Sequence, residues 1–241
     1  LAGDGSIANS TSINLALDTL LDVSGRAGGA MSLASGKTLT GNGAVKGDFT
    51  VGNGARVSPG ASIGTLTFSN ALTLAAGCTN IFEISSGPVA HDQVSVLGTL
   101  IRGGTLIVTN IGANPLAAGD AFLLLNSPML SGSFNSLVLP PLGSGLAWDT
   151  NEFALSGVLA VVSLAPPVID SVSSLADGNV RLTFSGASGQ GYEIRASTNL
   201  ALTPVTSWTL IGTGFFGGSA VVFDDLQATN FAQRFYLIRI P

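Results

Sequence analysis

The chain of 241 residues holds one cysteine and one histidine, Cys78 and His91. A lone cysteine excludes an intramolecular disulfide. With a lone histidine it also excludes a zinc centre, which needs three or four nitrogen or sulfur ligands. Charge is scarce as well. Asp, Glu, Lys and Arg make up 10% of the residues, against roughly 25% in an average soluble domain. Only two are lysines, Lys37 and Lys46. Nine basic and fourteen acidic residues give a net charge of −5, with no basic run. A phosphate backbone needs a positive surface, so nucleic acid is not an expected partner. The longest apolar stretch, residues 158–167, is shorter than the roughly 20 residues that span a bilayer, and no transmembrane segment is expected. Glycine recurs too often for a long amphipathic helix.

Glycine is what the chain has instead, at 32 residues, and with Ser and Thr it fills a third of the sequence. It has no three-residue period, which excludes collagen. Hydrophobic residues reach 46% and the mean hydropathy is +0.51, too apolar for a disordered chain. Short alternating runs at 12–18, 47–51, 65–68, 72–74, 105–109 and 158–162 place apolar residues two apart, the period of a half-buried strand.

These runs repeat. Met31-Ser-Leu-Ala-Ser-Gly-Lys-Thr-Leu39 aligns with Phe49-Thr-Val-Gly-Asn-Gly-Ala-Arg-Val57 and with Leu72-Thr-Leu-Ala-Ala-Gly-Cys-Thr-Asn80. Each reads as strand, glycine turn and strand. Stacked as parallel coils, they would line up Leu33, Val51 and Leu74 as an inward ladder. Gly36, Gly54 and Gly77 would turn the corners at positive φ. Ordinary hairpins in a sandwich are the alternative.

Gly41-Asn-Gly-Ala-Val-Lys-Gly-Asp-Phe-Thr-Val51 and Gly54-Ala-Arg-Val-Ser-Pro-Gly-Ala-Ser-Ile-Gly-Thr-Leu-Thr-Phe68 resemble the passenger-associated repeat of autotransporter-type surface proteins. The stretches Asp92-Gln-Val-Ser-Val-Leu-Gly-Thr-Leu100 and Gly103-Gly-Thr-Leu-Ile-Val-Thr109 are similar to its continuation. The resemblance covers about residues 19–163. It implies a secreted bacterial β-solenoid that serves as scaffold or adhesin. No translocator barrel follows in the sequence, so self-translocation is not expected. A chain that opens at Leu1 fits removal of a secretory signal, or a start chosen within a longer chain.

The expected fold is all-β. It comprises an N-terminal strand segment at 1–23, a parallel β-solenoid or β-helix-like region at 24–164 and a small antiparallel sandwich at 168–241. Residues 112–142 are expected to close the solenoid as a β-rich cap. Ala165-Pro-Pro167 reads as a stiff linker. Strands are expected at 168–175, 179–185, 191–197, 208–212, 220–223 and 235–240, with a hairpin turn at Ala176-Asp-Gly-Asn179. This part resembles a fibronectin type III-like module, with Trp208, Tyr192 and Tyr236 as core aromatics.

Motifs for chemistry are thin. Gly60-Ala-Ser62-Ile-Gly64 fits the nucleophile-elbow pattern, but a strand rather than a helix follows it. Gly212-Thr-Gly214-Phe-Phe-Gly217 fits a dinucleotide pattern with the same defect. His91-Asp92 reads as a solvated turn and Cys78 as a small residue in a turn. Asp224-Asp225 is the one adjacent acidic pair with any capacity for calcium, and a solvated loop is its default. Catalytic, cofactor and metal residues are therefore expected to be none.

The expected function is non-enzymatic: an extracellular or cell-surface fibre or matrix subunit. Self-assembly runs head to tail. Ile7, Ile13, Leu15, Leu17, Leu20, Leu21 and Val23 form an alternating segment for donation to a neighbouring copy. A surface adhesin or glycan-binding module is the alternative, with glycan contact through Trp208, Phe215 and Phe216. A β-helical polysaccharide-degrading enzyme ranks last. Asn9-Ser-Thr11 is the single glycosylation sequon.

Overall fold

The computed structural model describes residues 9–187, 190–217 and 219–240. About half of the chain is strand (51%) and 7% is helix, in parallel and antiparallel sheets. Two compact units divide between Val162 and Ser163.

In the first unit the chain visits three parallel sheets in a fixed order, one strand at each. The first circuit is β1 (Ser12–Leu15), β2 (Leu20–Asp22) and β3 (Ala30–Leu33). The second is β4 (Thr38–Gly41), β5 (Ala44–Lys46) and β6 (Asp48–Val51), and the third is β7 (Arg56–Pro59), β8 (Thr65–Phe68) and β9 (Leu72–Leu74). The fourth is β10 (Thr79–Ser85), a short antiparallel β11 (Ala90–His91), β12 (Gln93–Val96) and β13 (Thr99–Arg102). The fifth is β14 (Thr105–Asn110), β15 (Ala121–Leu123), β16 (Leu125–Asn126) and β17 (Met129–Gly132), before β18 (Ser136–Val138) returns to the first sheet. The three sheets run β1-β4-β7-β10-β14-β18, β16-β12-β8-β5-β2 and β17-β13-β9-β6-β3.

Register explains why this sequence folds so. Leu33 pairs with Val51 and Val51 with Leu74, all buried, so the inward ladder expected from the repeat is present. Period-two alternation puts each such residue inward and a Thr, Ser or Asn outward. Each fully buried Leu or Phe contributes about 1.5–3 kcal/mol by leaving water. Asn80 is the exception, fully buried in the rank between Val57 and Leu106. Its amide donates to the carbonyls of Gly103 at 3.1 Å and Thr105 at 3.2 Å, which offsets its desolvation.

The corner glycines also stack. Gly36 N–H donates to the Gly54 carbonyl, and Gly54 N–H to that of Gly77, each at 2.9 Å. Gly36 and Gly54 take positive φ, +76° and +73°, where a Cβ costs energy. Gly77 does not. It is small because a Cβ there would lie 3.0 Å from Asn53 Oδ1.

Residues 112–142 hold β15 to β18, and three of these strands extend the parallel sheets rather than closing them. The antiparallel pairing comes from β15 with β20 (Val158–Ser163), which joins β19 (Leu146–Asp149) in one small sheet. Between β19 and β20 lies a helix that the sequence reading missed, α1 (Thr150–Ser156). Asp149 caps its start by accepting from Asn151 and Glu152 N–H, and Gly157 ends it at φ +78°. Phe122, Phe153, Leu159 and Val161 belong to the same buried core as the parallel sheets.

The second unit has two three-stranded antiparallel sheets. One is β21 (Val168–Ser174), β22 (Val180–Ser185) and β25 (Val221–Asp225); the other is β24 (Thr209–Phe215), β23 (Gly191–Ser197) and β26 (Phe235–Arg239). Leu182, Phe184, Ile194, Phe216 and Ile238 form their shared core, with Tyr192 and Tyr236 packed against it. Tyr236 also donates to Asp225 Oδ2 at 2.9 Å, linking one sheet to the other.

Phe68 is fully buried at the centre of the first core, 5.8 Å from the Phe49 ring. Phe68→Ala is expected to cost about 3–5 kcal/mol in urea unfolding, through lost burial and a cavity. A loss below about 1 kcal/mol contradicts this packing.

Candidate functional site

The expected assembly segment is part of the chain's own sheets. Ser12 to Leu15 pair in parallel with Thr38 to Gly41, and Leu20 to Asp22 with Ala44 to Lys46. Leu15 and Val23 are buried, and Ile13 and Leu21 pack partly buried on the core. Residues 12–23 are therefore no free arm, which corrects the expectation of donation. Their apolar face is already satisfied within the chain. Ile7 lies outside the described residues. Leu17 and Leu20 differ from the rest: they flank the corner between β1 and β2 and are 71% and 56% exposed. Asn9 is exposed.

The three aromatics expected to meet glycan do not share a surface. Phe216 is 3% exposed, in the core of the second unit, and Trp208 is 6% exposed. Only Phe215 is open, at 78%. Two buried rings cannot stack on a sugar from outside, so this expected platform is corrected.

Trp208 instead walls a cavity of about 220 Å³ in the second unit. Ser197 and Thr198 at the end of β23, Ser207 and Thr209 around Trp208, and Phe231 and Arg234 before β26 also line it. The segments are held in place. Trp208 Nε1 donates to the Leu202 carbonyl at 2.9 Å. Arg195 Nη1 donates to the carbonyls of Thr206 and Trp208, at 2.7 and 2.9 Å. Gln233 Nε2 donates to the Thr198 carbonyl at 3.0 Å. The Arg234 guanidinium carbon sits 4.3 Å from the centre of the Phe231 ring, and its Nη1 is 3.2 Å from Asp225. Sequence reasoning missed Phe231 and Arg234, because the cavity joins segments that form no local motif.

The remaining motifs serve the backbone. Ser62 lies on a bend that leads into β8, and Gly212 and Gly214 lie within β24. Neither sits at the start of a helix, as its chemistry requires. Cys78 is buried and hydrogen-bonded with Asn80, and burial pushes its thiol up. Asp224 forms a two-pronged ion pair with Arg181 at 2.7 Å, while Asp225 faces Arg234 and Tyr236. The adjacent pair is thus split between two cations. Among the described residues, no three His, Cys, Asp or Glu side chains come together as a metal site.

Asp92 is the unusual carboxylate. It is fully buried, and its two oxygens accept from Gly64 N–H at 2.9 Å and Glu83 N–H at 2.7 Å. His91, next to it, packs edge-on to Phe122. His91 is half-buried at the end of β11 and Asp92 is buried, so the pair is not the expected solvated turn. Burial pushes the Asp92 carboxyl up to about 7, against the two backbone hydrogen bonds and with the help of nearby Glu83.

No protein-family model, curated protein or solved structure matches this chain.

Because the folded chain holds the Asp92 proton more tightly than the unfolded chain, this group favours folding most below pH 3.8. The contribution is lost as pH rises to about 7. Carboxylates held low, such as Asp22 beside Ser24 and Lys46, act in the opposite sense, losing stability as pH falls. Asp92→Asn is therefore expected to remove a downward slope in stability between pH 4 and 7, on the order of a few kcal/mol. Urea midpoints of both proteins across that window check it. Parallel pH profiles contradict it.

Proposed function

We propose that the chain is a non-enzymatic, secreted structural protein, a subunit of a cell-surface or extracellular fibre or matrix. In this reading residues 12–163 form a β-solenoid covered at its β16 edge by the chain around Gly157 and open at the edges of β17 and β18. The second unit is a fibronectin type III-like module. Copies join head to tail through strand edges.

The observation that carries the reading is the state of the sheet ends. β1, β2 and β3 are outermost in their sheets, with no strand on their far edge among the described residues. At the other end β17 and β18 are outermost too, while Gly157 accepts from Leu125 N–H beside β16. Unpaired edge groups recruit another strand. Seating β1 on β18 and β3 on β17 of the next copy would continue two sheets. That contact is heterologous, and repeating it makes an open filament. A chain with 10% charged residues opposes it weakly.

The polar chemistry supports a structural rather than a catalytic role. Asp48, Asp92, Asp120 and Asp149 all accept from backbone N–H groups. Few lysines and outward Ser and Thr suit an extracellular setting. Among the described residues, no helix is long and apolar enough to cross a membrane. A second reading, a surface adhesin that holds glycan, is favoured by the cavity beside Phe231.

Negative-stain electron microscopy with light scattering over a concentration series tests the first reading. Long regular fibres are expected. Leu17→Lys with Leu20→Lys should abolish them while changing stability by no more than about 0.5 kcal/mol per site, as for exposed positions. A strict monomer at high concentration overturns the proposal.

A further inference from the structure

We propose that the cavity beside Phe231 binds one neutral sugar ring of a glycan. This rests on the second reading above and is independent of fibre assembly.

Size comes first. At about 220 Å³ the cavity is smaller than the roughly 300–1,000 Å³ that drug-sized ligands occupy. It has room for a single ring and not for an extended oligosaccharide.

The lining then selects the chemistry. A pyranose has an apolar C–H face and a rim of hydroxyls. Phe231 is 43% exposed and offers an aromatic surface, steadied by the Arg234 guanidinium. Thr198, Ser207 and Thr209, all exposed residues, line the same cavity, and none of their hydroxyls makes a hydrogen bond among the described residues. A hydroxyl both donates and accepts, so it matches a sugar hydroxyl in either sense.

Charge decides between sugar classes. Arg234 is the one ionisable residue in the lining, and Asp225 neutralises it at 3.2 Å. Asp225 is itself held by Tyr236 and by Gln227 N–H. No net charge is left for a uronate or a sulfate to meet.

Rigidity completes the site. Arg195 ties down the backbone on both sides of Ser207, and Gln233 ties down Thr198. Trp208 is a fixed wall, its indole N–H spent on Leu202. A site ordered before binding loses little entropy on binding.

The test uses the full chain. Saturation-transfer NMR and titration are run with methyl glycosides of glucose, galactose, mannose and N-acetylglucosamine, and with methyl glucuronide as the charged control. At least one neutral glycoside is expected to bind with a Kd on the order of 1 mM. Thr198→Val with Ser207→Ala, and separately Phe231→Leu, should each weaken it roughly tenfold at unchanged circular dichroism. Undiminished binding in both variants overturns this site and leaves the adhesin reading standing. Stronger binding of the glucuronide overturns the assignment to neutral sugar. No binding of any neutral glycoside overturns the site, and a glycan array that is also blank removes the glycan-holding reading with it.

Discussion

In-register stacking of parallel strands is the constraint from which the first unit follows. Each inner strand's backbone groups pair with the circuits on either side, so residues lie over their counterparts in the next circuit. An inward position must then be apolar in circuit after circuit, as Leu33, Val51 and Leu74 are. A polar side chain entering such a rank needs its own partners. Asn80 finds them in two carbonyls at the next corner of the chain, and this is why an amide is tolerated at a fully buried position.

Corners are where the regular pairing lapses, and there side-chain oxygens replace it. Asn53 accepts from Gly77 N–H, Asn70 from Gly47, Asp48 from Ala71 and Asn135 from Gly104. Asp92 does the same for Gly64 and Glu83, from a fully buried position. All but the bond to Glu83 join separate turns of the chain, and each satisfies a donor that would otherwise lack a partner. This gives the scattered Asp and Asn residues of a weakly charged chain a common structural purpose.

Much of the strand pattern was legible because a period of two is a local property. The runs at Thr65–Phe68, Leu72–Leu74 and Gly191–Ser197 coincide with strands end to end. What alternation does not encode is which chain covers the apolar face. Ile13, Leu15 and Val23 read equally well as an arm for a neighbour and as a first circuit, and they belong to the circuit. The short helix was readable from Asp149, Glu152 and Gly157, a cap at one end and a stop at the other, but a search for long amphipathic periods passes over seven residues. An indole suits a core and a glycan surface equally in sequence; Trp208 is buried, against a cavity. That cavity had no sequence signature, since it exists only once Ser197, Trp208 and Phe231 are brought together.

The register also sets how disturbance travels. Ile13 pairs with Leu39, Leu39 with Val57 and Val57 with Asn80, so every link is to the adjoining circuit and none skips one. Such a lattice is one-dimensional: its free energy is close to a sum over circuits and the interfaces between neighbours. Loosening at β1 to β3 therefore need not reach β17. The first unit is built to fray and re-zip from an end, one turn of chain at a time, rather than to come apart as a whole.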